Sequence, residues 1–152
     1  MRPLAVGQPS RKFMINFKRF FLSVFTIIVF ALVWNGIVHL VILHEADSIL
    51  NTIGRPESQR SLSLSLLVTV VLSVLFVWSY ACTAKRGNLY DGLRHGLFFG
   101  LLAGTLVDLN QYILYPIPAS LAFTWFVFGS FEFCIYGILV SKLYPVKNKS
   151  AV

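Results

Sequence analysis

The sequence predicts an all-α integral membrane protein, a bundle of four antiparallel transmembrane helices with both termini in the cytoplasm. Three observations predict it. Of the 152 residues, 57% are hydrophobic and only 12% are charged, about half the charged share of an ordinary soluble domain. The apolar residues gather into four runs, at about 20–43, 61–82, 95–115 and 121–142, each long enough as helix to cross a hydrocarbon core of about 30 Å. The basic residues lie between the runs and are shared unequally. Arg2, Arg11, Lys12, Lys18, Arg19, Lys85, Arg86, Arg94, Lys142, Lys147 and Lys149 fall on one side, and only Arg55 and Arg60 on the other. Excess lysine and arginine marks the cytoplasmic side. The net charge of +7 therefore reads as a topology signal and not as a nucleic-acid surface, because it flanks spans and forms no single patch.

Residues 1–19 are a basic cytoplasmic tail in which Arg11 to Arg19 can lie on anionic lipid. Residues 20–144 form the four-helix domain and 145–152 a second basic tail. Span one is too long for a signal peptide and has no small-x-small cleavage pattern before His44-Glu45-Ala46, so it is expected to be retained. Ile42, Ala46, Ile49, Leu50 and Ile53 keep a helical spacing beyond it. The first helix is therefore expected to protrude about two turns, with Gly54 as its cap and Pro56 unable to continue it. Span two carries Ser61, Ser65, Thr69 and Ser73 four apart, a strip of small hydroxyls that reads as a close-packing face or as a polar lining. Trp78 and Tyr80 are placed as interfacial aromatics near its end. Cys82 and Cys134 have no disulfide or metal-ligand spacing and read as small buried packing residues.

Span three is led by Gly92, Gly96, Gly100 and Gly104, and the same step continues to Asp108 and Tyr112. Residues four apart share a helix face, and a strip without side chains lets another backbone approach closely, the GxxxG device of membrane helices. The turn Pro116-Ile117-Pro118-Ala119-Ser120 is so short that spans three and four must form a hairpin. Span four brings Gly129 and Gly137 to the same packing, with Trp125 near one end and Tyr144 near the other.

Polar residues inside apolar spans are costly and each needs a reason. Asn35 and His39 share a face of span one, Asp108 and Gln111 lie in span three, and Glu132 sits near the centre of span four with Tyr136 on its own face. At 1.5 Å per residue, Asn35 and Asp108 come out roughly 5 Å outward of the midplane, His39 and Gln111 roughly 11 Å. These residues are thus a candidate polar pocket in the outer half of the bilayer, or else a set of interhelical hydrogen bonds worth about 1 kcal/mol each. No lysine or arginine lies within a span core. Glu132 and Asp108 are therefore expected to be neutral, to share a proton, or to pair with His39. His39, Asp108 and Glu132 make an acceptable metal-ligand set on paper. They come from three helices with no local motif, and no metal or cofactor is expected. His44-Glu45 begins like a zincin signature but the later position is Ser48, and His39 and His95 differ too much in depth to ligate one haem. The sequon Asn148-Lys149-Ser150 is cytoplasmic in this topology.

Trp34, His39, Arg55-Pro56, the Gly92–Gly104 steps, Tyr115, Pro116-x-Pro118, Trp125, Gly129, Glu132 and Gly137 resemble the pattern of a family of small, uncharacterised bacterial four-span inner-membrane proteins with no established activity. The family's histidine follows the tryptophan closely with a glycine after it. Here Asn35-Gly36 takes that place and the histidine comes later. The resemblance implies the fold and an inner-membrane location, and no activity. On the residues alone, the function expected is a non-enzymatic subunit or assembly component of a membrane complex, with lipid and other membrane helices as partners. The alternative is a small oligomeric carrier or channel for protons, a metal ion or a small solute. An intramembrane enzyme has no recognisable nucleophile and base.

Overall fold

The computed structural model describes residues 16–55, 59–85 and 87–145. Arg2, Arg11, Lys12, Pro56, Arg86, Lys147, Lys149 and the Asn148 sequon lie outside them. Among the described residues the chain is all-helical. Its elements are α1 (Phe17–Ile37), a π-helical turn (Val38–Ile42), the short α2 (His44–Asp47) and α3 (Leu50–Ile53), α4 (Leu62–Thr83), α5 (Leu89–Ala103), a second π-helical turn (Gly104–Leu109), α6 (Asn110–Leu114) and α7 (Ala119–Leu143). Four helical stretches are long and apolar enough to cross a membrane: Phe17–Ile42, Leu62–Thr83, Leu89–Leu114 and Ala119–Leu143. They are called spans one to four below.

The helix starts follow capping chemistry. Asn16, Ser61 and Asn88 each accept, through a side-chain oxygen, the backbone N–H three residues on, from Arg19, Leu64 and Asp91, satisfying a donor that has no partner inside the helix. Asp91 returns a bond by accepting from Gly87 N at 3.1 Å. Gly87, at φ 63°, occupies the left-handed region that favours glycine. This cap starts span three at Leu89, six residues before the expected 95, because a polar first turn is tolerated once its amides are bound. The other bounds move by one to three residues.

Spans three and four make the closest contact. Gly92, Gly96 and Gly100 are buried. A Cβ at Gly92 would stand 2.7 Å from Ser141 Cβ, at Gly96 2.9 Å from Cys134 Cα, at Gly100 2.8 Å from Ser130 Cα and at Gly104 2.8 Å from Phe126 Cε2. Span four also packs on span one, and span one on span two. Phe76 and Tyr80 of span two reach span three through His95 and Phe99, with ring centroids 4.8–5.5 Å apart. With Phe133, Tyr136 and Val140 of span four and Val24, Ile27 and Ala31 of span one they form the main core. Asn16 N donates to Tyr144 Oη at 3.2 Å and joins the start of span one to the end of span four.

Four expectations are corrected. The first helix does not protrude straight: Leu43 breaks it, and α2 and α3 fold back so that Leu43, Ile49, Leu50 and Ile53 pack with Ile117, Leu121 and Trp125. Leu43 is buried and Ile49, Leu50 and Ile53 are partly buried against the end of span four instead of projecting beyond it. Gly54 follows in an extended conformation, φ −92°, not a left-handed cap. Tyr80 is wholly buried against His95 and is not an interfacial aromatic, whereas Trp78 is half exposed. Cys82 is exposed and Cys134 only partly covered.

Candidate functional site

Two π-helical turns line one cleft of the bundle. In one, Leu43 N donates to Val38 O, five residues back, at 2.8 Å. The other spans Gly104–Leu109. Such turns widen a helix and are frequent at functional sites. His39 lies in the first and Asp108 in the second. The cleft, of about 320 Å³, is lined by Trp34, Asn35, His39, Asp108, Gln111 and Glu132, among others. Trp125 and Phe128 add aromatic wall, and Leu50 of the folded-back segment adds an apolar edge.

Two hydrogen-bonded clamps hold its walls. In the inner clamp, Glu132 is buried on span four. Its Oε1 accepts from Asn35 Nδ2 of span one at 2.8 Å and from the hydroxyl of Tyr136 one turn away. Asn35 also donates to Ala31 O at 2.9 Å. The outer clamp is built on Asp47 of α2. Its Oδ2 accepts from His39 Nδ1 at 2.6 Å, and its Oδ1 accepts from Trp125 Nε1 at 2.9 Å. One carboxylate thereby ties span one to span four and fixes both the imidazole and the indole.

The second polar pair behaves differently. Among the described residues, the side chains of Asp108 and Gln111 make no hydrogen bond, although both line the cleft and are partly buried. Gly129 makes room for the carboxylate: a Cβ there would stand 3.8 Å from Asp108 Oδ2.

The structure therefore brings Asn35, His39, Asp108, Gln111 and Glu132 to one cleft. Tyr136 stands behind Glu132 and does not line it. His39 pairs with Asp47, not with Asp108 or Glu132. Tyr112, the next four-residue step after Asp108, is half exposed and does not line the cleft, because the π turn interrupts the stepping. In the hydroxyl strip, Ser65, Thr69 and Ser73 all donate to the carbonyl four residues back. Only Ser73 is buried, and Ser65 is exposed.

Sequence reasoning missed Asp47, which lies eight residues after His39 at the end of α2. It also missed the ring cluster of Phe76, Tyr80, His95 and Phe99, although two aromatic pairs four apart on neighbouring helices were there to be read. His95 Nε2 lies 3.1 Å from Ser79 Oγ and 3.2 Å from Phe76 O. A carbonyl only accepts, so Nε2 carries a proton toward it and is not poised as a base for Ser79. Beside this cluster a second cavity, about 420 Å³, is lined by Tyr80, Lys85, Asp91 and Arg94 among others.

The cleft can accept hydrogen bonds and balance positive charge at Asp108, and its clamps can hold that geometry. Among the described residues, no three His, Cys, Asp or Glu side chains are grouped to hold a metal ion. No protein-family model, curated protein or solved structure matches this chain.

Proposed function

We propose that this chain is a non-enzymatic, multi-pass inner-membrane protein that works as a subunit or assembly component of a membrane complex. In this reading the four helices run antiparallel through the bilayer with both termini cytoplasmic. The inner-membrane assignment rests on the resemblance to the small bacterial four-span family. The partners of Gly92, Gly96, Gly100 and Gly104 descend along span four, from Ser141 through Cys134 and Ser130 to Phe126, which supports an antiparallel pair packed through its glycines. The bond between Asn16 and Tyr144 supports termini on one side, and the unequal basic residues supply the orientation.

The observation that carries the complex reading is the outer end of span two. Every residue from Ser61 to Val68 is exposed, two full turns on all faces, the small hydroxyl of Ser65 included. A helix end with no cover from the described residues and a small-residue strip suits packing by a neighbouring chain. On extraction from native membranes in mild detergent, the protein is expected to travel with other membrane proteins well above the size of one chain. Those partners would be identified by mass spectrometry. A lone chain or a small homo-oligomer would contradict the reading.

A second reading, a small carrier or channel, is favoured by Asp108 and Gln111, which line the cleft with no side-chain hydrogen bond among the described residues. A small homo-oligomer that conducts protons or a solute in proteoliposomes would favour it.

A further inference from the structure

We infer that the outer cleft binds a small organic cation, an ammonium group held against the Asp108 carboxylate and enclosed by aromatic walls. This deepens the carrier reading and rests on it only for what binding would serve.

The charge of the cleft points to a cation. Asp108 and Glu132 line it, and no lysine or arginine does. Its imidazole, His39, is already bound to a third carboxylate, Asp47. Glu132 already accepts from Asn35 and Tyr136. Asp108 is the carboxylate that no described residue satisfies. A carboxylate this far inside an apolar segment is retained where it meets a counter-charge; among the described residues the charge that acts on Asp108 is that of the His39 imidazole, which is already bound to Asp47. The carbonyl oxygen of the Gln111 amide, one turn on, is a second acceptor for a donor that has not come from the chain.

The walls point to an organic cation rather than a bare ion. Trp34, Trp125 and Phe128 line the same cleft. Aromatic faces attract ammonium groups, most strongly where water is excluded, and such cages with a carboxylate recognise quaternary and primary amines. These walls are fixed in advance. Trp125 is pinned through its indole N–H to Asp47, and Trp34 is stacked on Phe30 at 5.9 Å and packed on Phe131 at 5.5 Å. An anion would meet two carboxyl groups. Among the described residues a metal ion lacks the grouped ligands it needs. A volume of about 320 Å³ admits a small amine. The same ammonium chemistry is offered by a free amine and by an ethanolamine lipid headgroup.

The test uses the full chain in nanodiscs of phosphatidylglycerol, a lipid without an amine, with Trp78→Phe to remove emission from outside the cleft. Choline is titrated while Trp34 and Trp125 fluorescence is followed. Sodium chloride of equal ionic strength and 3,3-dimethylbutan-1-ol, the uncharged isostere of choline, serve as controls. A saturable change with choline, at least tenfold weaker for the isostere, is expected. Asp108→Asn is expected to weaken choline at least tenfold. If that variant fails to fold, the comparison of choline with its isostere on the unmodified Asp108 still decides. Discs containing phosphatidylethanolamine distinguish the source: competition against choline assigns the site to the lipid headgroup, and no competition assigns it to a free amine. Absence of a saturable response beyond the salt control overturns the proposal, as does equal binding of choline and its isostere or equal binding by a folded Asp108→Asn. Choline flux into proteoliposomes is scored separately. Binding without flux sinks the carrier reading and leaves the site, whereas proton flux without choline binding sinks the site and leaves the carrier.

Discussion

Gly96→Leu is expected to leave almost no folded protein, while Gly36→Ala is expected to be harmless or slightly stabilising. Both glycines lie inside helices, so the contrast isolates packing from backbone propensity. At Gly96 an added Cβ would stand 2.9 Å from Cys134 Cα and from the Phe133 carbonyl carbon. These are backbone atoms of the facing helix, and they can yield only if the whole of span four moves. Overpacking that side chains can absorb costs about 1–3 kcal/mol. Here nothing flexible absorbs it, so the loss falls at or above the top of that range. At Gly104 the obstacle is the Phe126 ring, which can rotate, and Gly104→Ala is expected to fall between the two. Around Gly36 no atom lies within 4 Å of an added Cβ, and alanine gains about 1 kcal/mol over glycine in a helix. Thermal stability of the purified protein in mild detergent checks the series. A Gly96→Leu protein as stable as its parent would mean that spans three and four do not pack through this strip.

The second large effect concerns Glu132. Glu132→Leu removes the acceptor of the Tyr136 hydroxyl, and Tyr136 is almost wholly buried. A buried donor left without a partner costs about 1–3 kcal/mol. Asn35 loses one of two bonds and keeps the one to Ala31 O, so most of the expected loss belongs to Tyr136. Glu132→Gln retains an acceptor oxygen in the same place and is expected to cost about 1 kcal/mol or less. The pair Glu132→Leu with Tyr136→Phe removes donor and acceptor together and is expected to recover part of the single-variant loss, giving a positive coupling in a double-mutant cycle. If the two substitutions simply add, the clamp does not exist. Stability measures only the clamp. A Glu132→Gln protein that folds normally but loses a cellular phenotype would favour the carrier over the complex reading.

The fold and the cleft are legible in the amino-acid sequence to different degrees, for physical reasons. The four apolar stretches are legible because the bilayer demands length and hydropathy together, and span three lengthens only where Asn88 caps a polar turn that hydropathy cannot value. The gathering of Asn35, His39, Asp108, Gln111 and Glu132 is legible through depth. Once helix rise is known, polar residues in antiparallel spans can be placed at one level. Their pairing is not legible. It depends on rotation about each helix axis, and the two π turns change that rotation without any signal in the residues. Asp47 escapes for a related reason. It enters the site because Leu43 breaks the helix and turns α2 back, and the continuing apolar spacing after Ile42 argues for a straight helix instead. The same apolar side chains serve both outcomes, and packing on Ile117, Leu121 and Trp125 decides between them.

The central claim is that the four spans cross the membrane with both ends in the cytoplasm and the cleft toward the outside. A reporter active only outside the cytoplasm, fused after Val152 and inserted at Gly87 and at Ser58 in separate proteins, tests it most directly. Silence at Val152 and Gly87 with activity at Ser58 is the expected result. Activity at Val152 would contradict either the four crossings or their orientation, and would place the polar cleft on the opposite side of the membrane or outside it altogether.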